Sequence, residues 1–160
     1  MTRATTTSAY VEPLTARPRV DGKFLAIDQR RFLIKGVSYG TFMPDANGEQ
    51  YPLPPQIARD MAMMSDSGFN TIRTYTEPSS ALLDAAADQH LRIIAGLPWS
   101  QHIPFLDDPK AIKKIQRNLV ESVRRLAAKP SLLMFAIGNE IPAGIVRWHG
   151  AKRIEHFLHN

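Results

Sequence analysis

The chain has 160 residues, of which 44% are hydrophobic and 22% charged, a composition typical of one globular domain with a real core. It has no cysteine, which excludes disulfides and thiolate chemistry. The net charge is +5, but the basic residues between positions 110 and 129 fall on the solvated face of one predicted helix without aromatic residues, so nucleic-acid binding is not predicted. We expect neither a membrane span nor a signal peptide, which leaves the compartment unknown and the cytoplasm as the default.

The first elements in chain order are a tail and a hairpin. Residues 1–18 are rich in threonine and predict a disordered tail, and residues 19–160 form the predicted folded unit. Two short apolar segments, 23–27 and 31–34, flank a turn and predict a β-hairpin. The second arm leads into a candidate first core strand at 35–40. A loop rich in proline, glycine, Asp and Asn follows from 41 to 55 and is long enough to be functional.

From there, helices and strands alternate. A helix from about Pro55 to Gly68 precedes a strand at 70–75, and a second helix opening at 78–80 precedes a strand at 91–97. A third helix starts at Asp107-Asp108-Pro109 and ends before Pro130. A strand at 132–137 and a helix from Gly150 onward complete the series. This order predicts an α/β fold with a parallel sheet, either open or closed as a barrel.

Two common sites of such folds are not indicated by the sequence. There is no glycine-rich phosphate loop and no G-x-S-x-G turn, which disfavours nucleotide binding and serine hydrolysis. His149, His156 and His159 lack metal-ligand spacing with acids. We predict neither a metal nor another cofactor.

The Asn139-Glu140 pair is the first candidate for chemistry. It follows six apolar residues, Leu132 to Ile137, that have the length of a buried strand, and parallel folds carry their active sites at such strand ends. A carboxylic acid there is expected to be partly desolvated, as suits a general acid, and Asn139 could donate to a substrate hydroxyl. The alternative is a capping pair in an ordinary loop, and the residues alone leave the two interpretations about level.

The other candidates also follow strands. Arg73 lies in a strand of Thr, Ile and Tyr and could hold a carboxylate ionised, or else pair with a structural acid. Trp99 follows the next strand and could stack on a ligand, with His102 and Tyr75 as hydrogen-bonding neighbours. The alternative is a tryptophan that packs over the strand ends, which is at least as well supported by the residues.

Together these segments resemble the first half of a retaining (β/α)8 glycoside hydrolase of the clan that includes family 2 β-galactosidases and β-glucuronidases and family 5 cellulases. The matching segments are RFLIKGVSYG, GFNTIRTYTEP, LRIIAGLPW and LLMFAIGNEIP, in the order of strands one to four. The resemblance implies that Glu140 is the general acid/base, that Asn139 contacts the sugar 2-hydroxyl and that Arg73 orients the nucleophile. The segment GNEIP, followed by RWHGAKRIEHFL, is similar to bacterial proteins in which such a domain is joined to a glycosyltransferase.

The sequence departs from that clan in lacking the nucleophile, a glutamate that the resemblance places on strand seven. The fold implied is therefore an incomplete (β/α)8 barrel of about four βα units, and this chain alone is expected to be inactive. A second copy would not supply the acid, because its strand three ends in Leu97-Pro98-Trp99. Glu77, which follows strand two, is a poor stand-in. We expect a β-linked glycan as substrate, with the missing half-barrel supplied by a longer chain or with self-association; the alternative is a non-hydrolytic carbohydrate-binding domain of a glycosyltransferase.

Overall fold

The computed structural model describes residue 14, residues 16–46 and residues 48–159. Most of the predicted tail, residues 1–13 and 15, lies outside the described residues, so the domain boundary at residue 18 stays a prediction. Leu14 and Ala16 are described, and their carbonyl oxygens accept hydrogen bonds from the guanidinium of Arg92 at 3.2 and 3.1 Å. Arg92 is 1% exposed, so these two residues meet a buried side chain at the start of its strand.

A small antiparallel sheet comes first along the chain. It contains β1 (Arg19–Asp21), β2 (Phe24–Ile27) and β3 (Arg30–Phe32), in that order across the sheet. The β2–β3 hairpin confirms the predicted one, and its two turn residues, Asp28 and Gln29, have φ of 46° and 64°. Two positive φ values in a two-residue turn are typical of a type I′ hairpin. Strand β1 was not predicted from the sequence.

A parallel sheet of four strands follows. Its strands are β4 (Gly36–Ser38), β5 (Thr71–Arg73), β6 (Arg92–Leu97) and β7 (Leu132–Ile137), and they lie in sequence order across the sheet. Every pairing is parallel, as the alternation of strands and helices predicted. Within the described part of the chain, β4 and β7 each pair with a single neighbour, so each leaves one edge open.

In the part of the chain that the structure describes, five helices connect or follow these strands: α1 (Pro54–Asp66), α2 (Ser80–Asp88), α3 (Pro109–Leu126), α4 (Ala143–His149) and α5 (Ala151–His159). Helix α3 begins as the sequence predicted, since the Asp108 side chain accepts from the backbone N–H of Lys110 at 2.8 Å. Helix α4 was not predicted. It is separated from α5 by Gly150, whose φ of 81° interrupts the helical path.

The helices cover one face of the parallel sheet. Ile72, Ile93 and Ala95 on that face are fully buried in the main core, together with residues of α1 and α2. Alternation along the strands directs their neighbours, among them Arg73 and Ile94, to the opposite face. On that second face Thr71 and Arg92 are buried near the amino ends of the strands, whereas Arg73, Ile94 and Met134 are half-buried. The inner face is therefore more open toward the carboxyl ends of the strands.

Candidate functional site

The carboxyl ends of β5 and β7 bring two predicted site residues together. Arg73 is the last residue of β5, and Asn139 lies two residues beyond the end of β7. The Nη2 atom of Arg73 donates a hydrogen bond to Oδ1 of Asn139 at 2.5 Å, across 66 positions of sequence. Both side chains are half-buried. The sequence placed these residues at strand ends, and the parallel sheet makes them neighbours.

A strained turn carries Asn139 and Glu140. Gly138 has φ of 78° and Glu140 has φ of 51°, so a left-handed residue stands on each side of Asn139. A side chain at Gly138 would place its Cβ 2.7 Å from Oε1 of Gln101 and 3.0 Å from Nε1 of Trp99. Glycine is therefore required there both by the backbone angle and by the space available. A non-glycine residue with positive φ costs energy, and such residues cluster at functional sites.

The backbone of this turn is tied to β6 and to the loop after it. The N–H of Gly138 donates to the carbonyl oxygen of Leu97 at 3.2 Å. The N–H of Asn139 donates to Oε1 of Gln101 at 2.8 Å. Gln101 is 5% exposed, so this acceptor is buried against the turn.

Glu140 itself is exposed. Among the described residues, none forms a hydrogen bond or an ion pair with its carboxylate. The expected partial burial of Glu140 is therefore wrong for this chain. The physical reason is that β7 is an edge strand of a four-stranded sheet, so no described strand lies beyond it to cover the side chain of Glu140.

Tyr75 lies next to the Arg73–Asn139 pair. Its ring centroid is 4.9 Å from the guanidinium carbon of Arg73, a cation–π distance, and its hydroxyl is 3.5 Å from Oγ of Ser38. These contacts group Tyr75 with Arg73 and Asn139 at one end of the sheet. Ser38, the last residue of β4, is exposed beside them and was not a sequence candidate.

Trp99 and His102 occupy the loop after β6 but differ in their surroundings. The Trp99 ring is half-buried and makes edge contacts with Phe105 and Phe157, at centroid distances of 4.4 and 5.5 Å. These contacts correspond to the packing alternative, and a stacking role for Trp99 stays a prediction. His102 is exposed, and no contact joins it to the Arg73–Asn139 pair.

Glu77, the other acid beyond a parallel strand, is held by helix α3. Arg125 donates to both carboxylate oxygens of Glu77 at 2.6 to 2.8 Å, and the Ser122 hydroxyl donates at 2.8 Å. Glu77 lines a cavity of about 420 Å³ between α3 and the end of β6, which Trp99 also lines and Arg73 does not. Glu77 therefore serves this connection to α3 and is not paired with Glu140.

Two tyrosines form a small cleft at the ends of β4 and β5. Tyr39 donates to Oδ2 of Asp60 at 2.7 Å, and Tyr51 donates to Thr76 at 3.1 Å. Burial raises the pKa of Tyr39 well above its ordinary value, and the hydrogen bond to Asp60 adds to the rise. Burial also raises the pKa of Tyr51. Both hydroxyls therefore stay protonated and serve as hydrogen-bond donors at neutral pH.

Other features of the described residues bear on the remaining expectations. No group of three histidine or acidic side chains among them could hold a metal ion. His149 is buried, where its Nε2 accepts from the N–H of Leu106 at 3.4 Å and its Nδ1 lies 3.6 Å from Asp107. None of the described helices has both the length and the apolar character needed to cross a bilayer.

Sequence reasoning missed Gln101, although it is the residue that contacts the Asn139 backbone. It lies between Trp99 and His102, which were both candidates because of their residue types. A glutamine in a loop does not by itself indicate a functional site. Only its burial and its 2.8 Å hydrogen bond identify it.

No protein-family model and no curated protein sequence matches this chain. Solved structures do match. The chain is similar to apo β-glucuronidase 3 of Bacteroides uniformis, with a TM-score of 0.72 and 18% identity over 89% of this chain and 18% of that one. It is also similar to the β-glucuronidase of Parabacteroides merdae, with a TM-score of 0.64 and 22% identity over 78% of this chain and 15% of that one. For a glycosyl hydrolase family 2 member from Bacteroides cellulosilyticus, the TM-score is 0.63 and the identity 21%, over 90% of this chain and 19% of that one.

These likenesses establish the fold. The chain has a glycoside hydrolase-like α/β fold, an incomplete (β/α)8 barrel of four βα units preceded by a β-hairpin, as the sequence predicted. It spans 15% to 19% of the length of the three structures described.

Proposed function

We propose that this chain carries half of a retaining β-glycosidase-type active site, with Glu140 as the general acid/base. The observation that supports this most is the Arg73–Asn139 hydrogen bond at the strand ends, directly followed by an exposed glutamate. An exposed carboxyl group can reach the glycosidic oxygen of a substrate bound over the inner face of the sheet.

The contact with Arg73 also supports separate roles for the two ends of the Asn139 amide. Its Oδ1 accepts from Arg73, which fixes the amide plane. The Nδ2 group has no acceptor among the described residues and is free to donate to a sugar hydroxyl, as an asparagine amide can. Arg73 thus positions Asn139 for sugar binding, and Glu140 protonates the leaving oxygen.

A retaining mechanism needs a second carboxylate about 5–5.5 Å from the first, to form the covalent glycosyl intermediate. Glu77 is committed to Arg125 and Ser122. We therefore propose that the nucleophile comes from outside the described residues, either from the rest of a longer chain or from a subunit of different sequence. The substrate class is a β-linked glycan or glycoside.

The second candidate function is carbohydrate binding without hydrolysis. It is favoured by the same engagement of Glu77, which removes the acid that follows β5 as a partner for Glu140. The predicted link to bacterial glycosyltransferases rests on the sequence resemblance alone.

The test uses the 160-residue chain and nitrophenyl β-glycosides (glucuronide, galactoside and glucoside). Binding is measured by NMR, and turnover is measured by the release of nitrophenol. We expect binding without turnover, and an affinity that falls about tenfold in Asn139→Ala because one hydrogen bond is lost. Asn118→Ala is the matched control, since Asn118 is an exposed asparagine on α3 that lines the cavity by Glu77. Glu140→Gln should keep binding in this chain and abolish turnover in any longer protein that contains the second carboxylate.

Absence of glycoside binding would contradict both candidate functions. Binding that is weakened by Asn118→Ala and not by Asn139→Ala would move the sugar site to the cavity beside α3 and contradict the proposed roles of Asn139 and Arg73.

A further inference from the structure

The Glu140 carboxylate forms no hydrogen bond or ion pair with the described residues, so the backbone of the turn decides where its side chain leaves the chain. That turn has two unusual angles, φ of 78° at Gly138 and 51° at Glu140. Backbone in the left-handed region persists only where surrounding contacts hold it.

Asn139 is held at two points from two different elements. Its side-chain oxygen accepts from Arg73 on β5 at 2.5 Å, and its backbone N–H donates to Oε1 of Gln101 in the β6–α3 loop at 2.8 Å. The peptide plane before Asn139 is thereby fixed by Gln101, while the side chain is fixed by Arg73. Because these two groups are fixed, only one backbone torsion, the ψ of Asn139, lies between Asn139 and the peptide plane that joins it to Glu140.

The Gln101 side chain is a rigid hydrogen-bond acceptor for the Asn139 N–H. It is 5% exposed, and its own N–H donates to the carbonyl oxygen of Trp99 at 2.7 Å. An added Cβ at Gly138 would stand 2.7 Å from its Oε1, so the acceptor lies directly against the turn. A buried side chain has already lost its rotamer freedom on folding, so the Gln101 side chain does not have to be ordered when a ligand binds.

We propose that Gln101 is the positioning residue that aims Glu140, acting through the Asn139 peptide. The proposal rests on the proposed role of Glu140, because only an acid/base has to be aimed. Gln101 touches no substrate atom in this scheme. It holds the turn in the conformation from which the Glu140 side chain projects.

The test compares two isosteric variants. Gln101→Met keeps the length of the side chain and removes the acceptor. Gln101→Glu restores an acceptor oxygen in either protonation state. We expect the Asn139 amide to be protected from hydrogen exchange in the wild-type chain, to exchange about five- to tenfold faster in Gln101→Met, and to regain protection in Gln101→Glu. Amides within β6 serve as the reference, because global destabilisation would accelerate them equally.

Glycoside affinity is measured on the same three proteins. A local loss of Asn139 protection in Gln101→Met, with about tenfold weaker glycoside binding and recovery in Gln101→Glu, supports the inference. If the local effect on Asn139 appears but the wild-type chain binds no glycoside, the positioning contact stands and the proposed function fails. If the wild-type Asn139 amide exchanges as freely as an unbonded amide, or is unchanged in Gln101→Met, the inference is overturned whether or not sugars bind. The wild-type measurement keeps this test decisive even if Gln101→Met does not fold.

Discussion

Replacement of Gly138 by alanine tests the geometry of the site turn most directly. An alanine at φ of 78° costs about 1–2 kcal/mol, because its Cβ crowds the following carbonyl oxygen. The new Cβ also lies 2.7 Å from Oε1 of Gln101 and 3.0 Å from Nε1 of Trp99, and overpacking of this kind adds about 1–3 kcal/mol. We expect Gly138→Ala to lower the free energy of unfolding by about 2–5 kcal/mol.

The control is Gly68→Ala, which separates the two contributions. Gly68 has φ of 83°, but no atom lies within 4 Å of a Cβ placed there. Gly68→Ala should therefore lower the free energy of unfolding only by the backbone contribution, about 1–2 kcal/mol. Urea unfolding followed by circular dichroism gives both values. Equal losses in the two variants would refute the close approach of Gln101 and Trp99 to the turn, and with it the tight packing that we assign to the site.

Three further outcomes follow from the described contacts. Gly96→Ala places a Cβ against the carbonyl oxygen of Thr74, so we expect the free energy of unfolding to fall by about 3 kcal/mol or more, or the chain not to fold, in the same urea assay. A smaller loss would contradict the close approach of β5 and β6. Ile57→Ala, at a side chain that is 1% exposed, should cost about 2–5 kcal/mol. In the wild-type chain, Tyr39 ionises near pH 10 when the chain is unfolded but keeps its proton at that pH when the chain is folded. Its contribution to the free energy of unfolding is therefore complete below about pH 10 and is lost as the pH rises above that. Tyr39→Phe should flatten the fall in unfolding free energy between about pH 10 and 11.5, and an unchanged slope would contradict burial of the hydroxyl beside Asp60.

The order of the elements was available from the sequence because it depends on local patterns. Apolar runs of strand length, helical spacing and caps such as Asp108 each involve residues close together in the chain. The elements that were missed, β1 and α4, are short, with three and seven residues, and carry weak patterns. Such short segments are stabilised by the neighbours they pair or pack with rather than by their own residues.

The candidate site, like the fold, was predictable only where it depends on local sequence patterns. The sequence by itself determined which polar residues follow the parallel strands, including Arg73 and Asn139, because a strand end can be located from the apolar run before it. Only the tertiary structure decided that Arg73 bonds to Asn139 across 66 positions, that Gln101 bonds to its backbone across 38, and that Glu140 is exposed. Distances between strands and the covering of the inner face depend on how the whole sheet assembles, and no local pattern of residues encodes them.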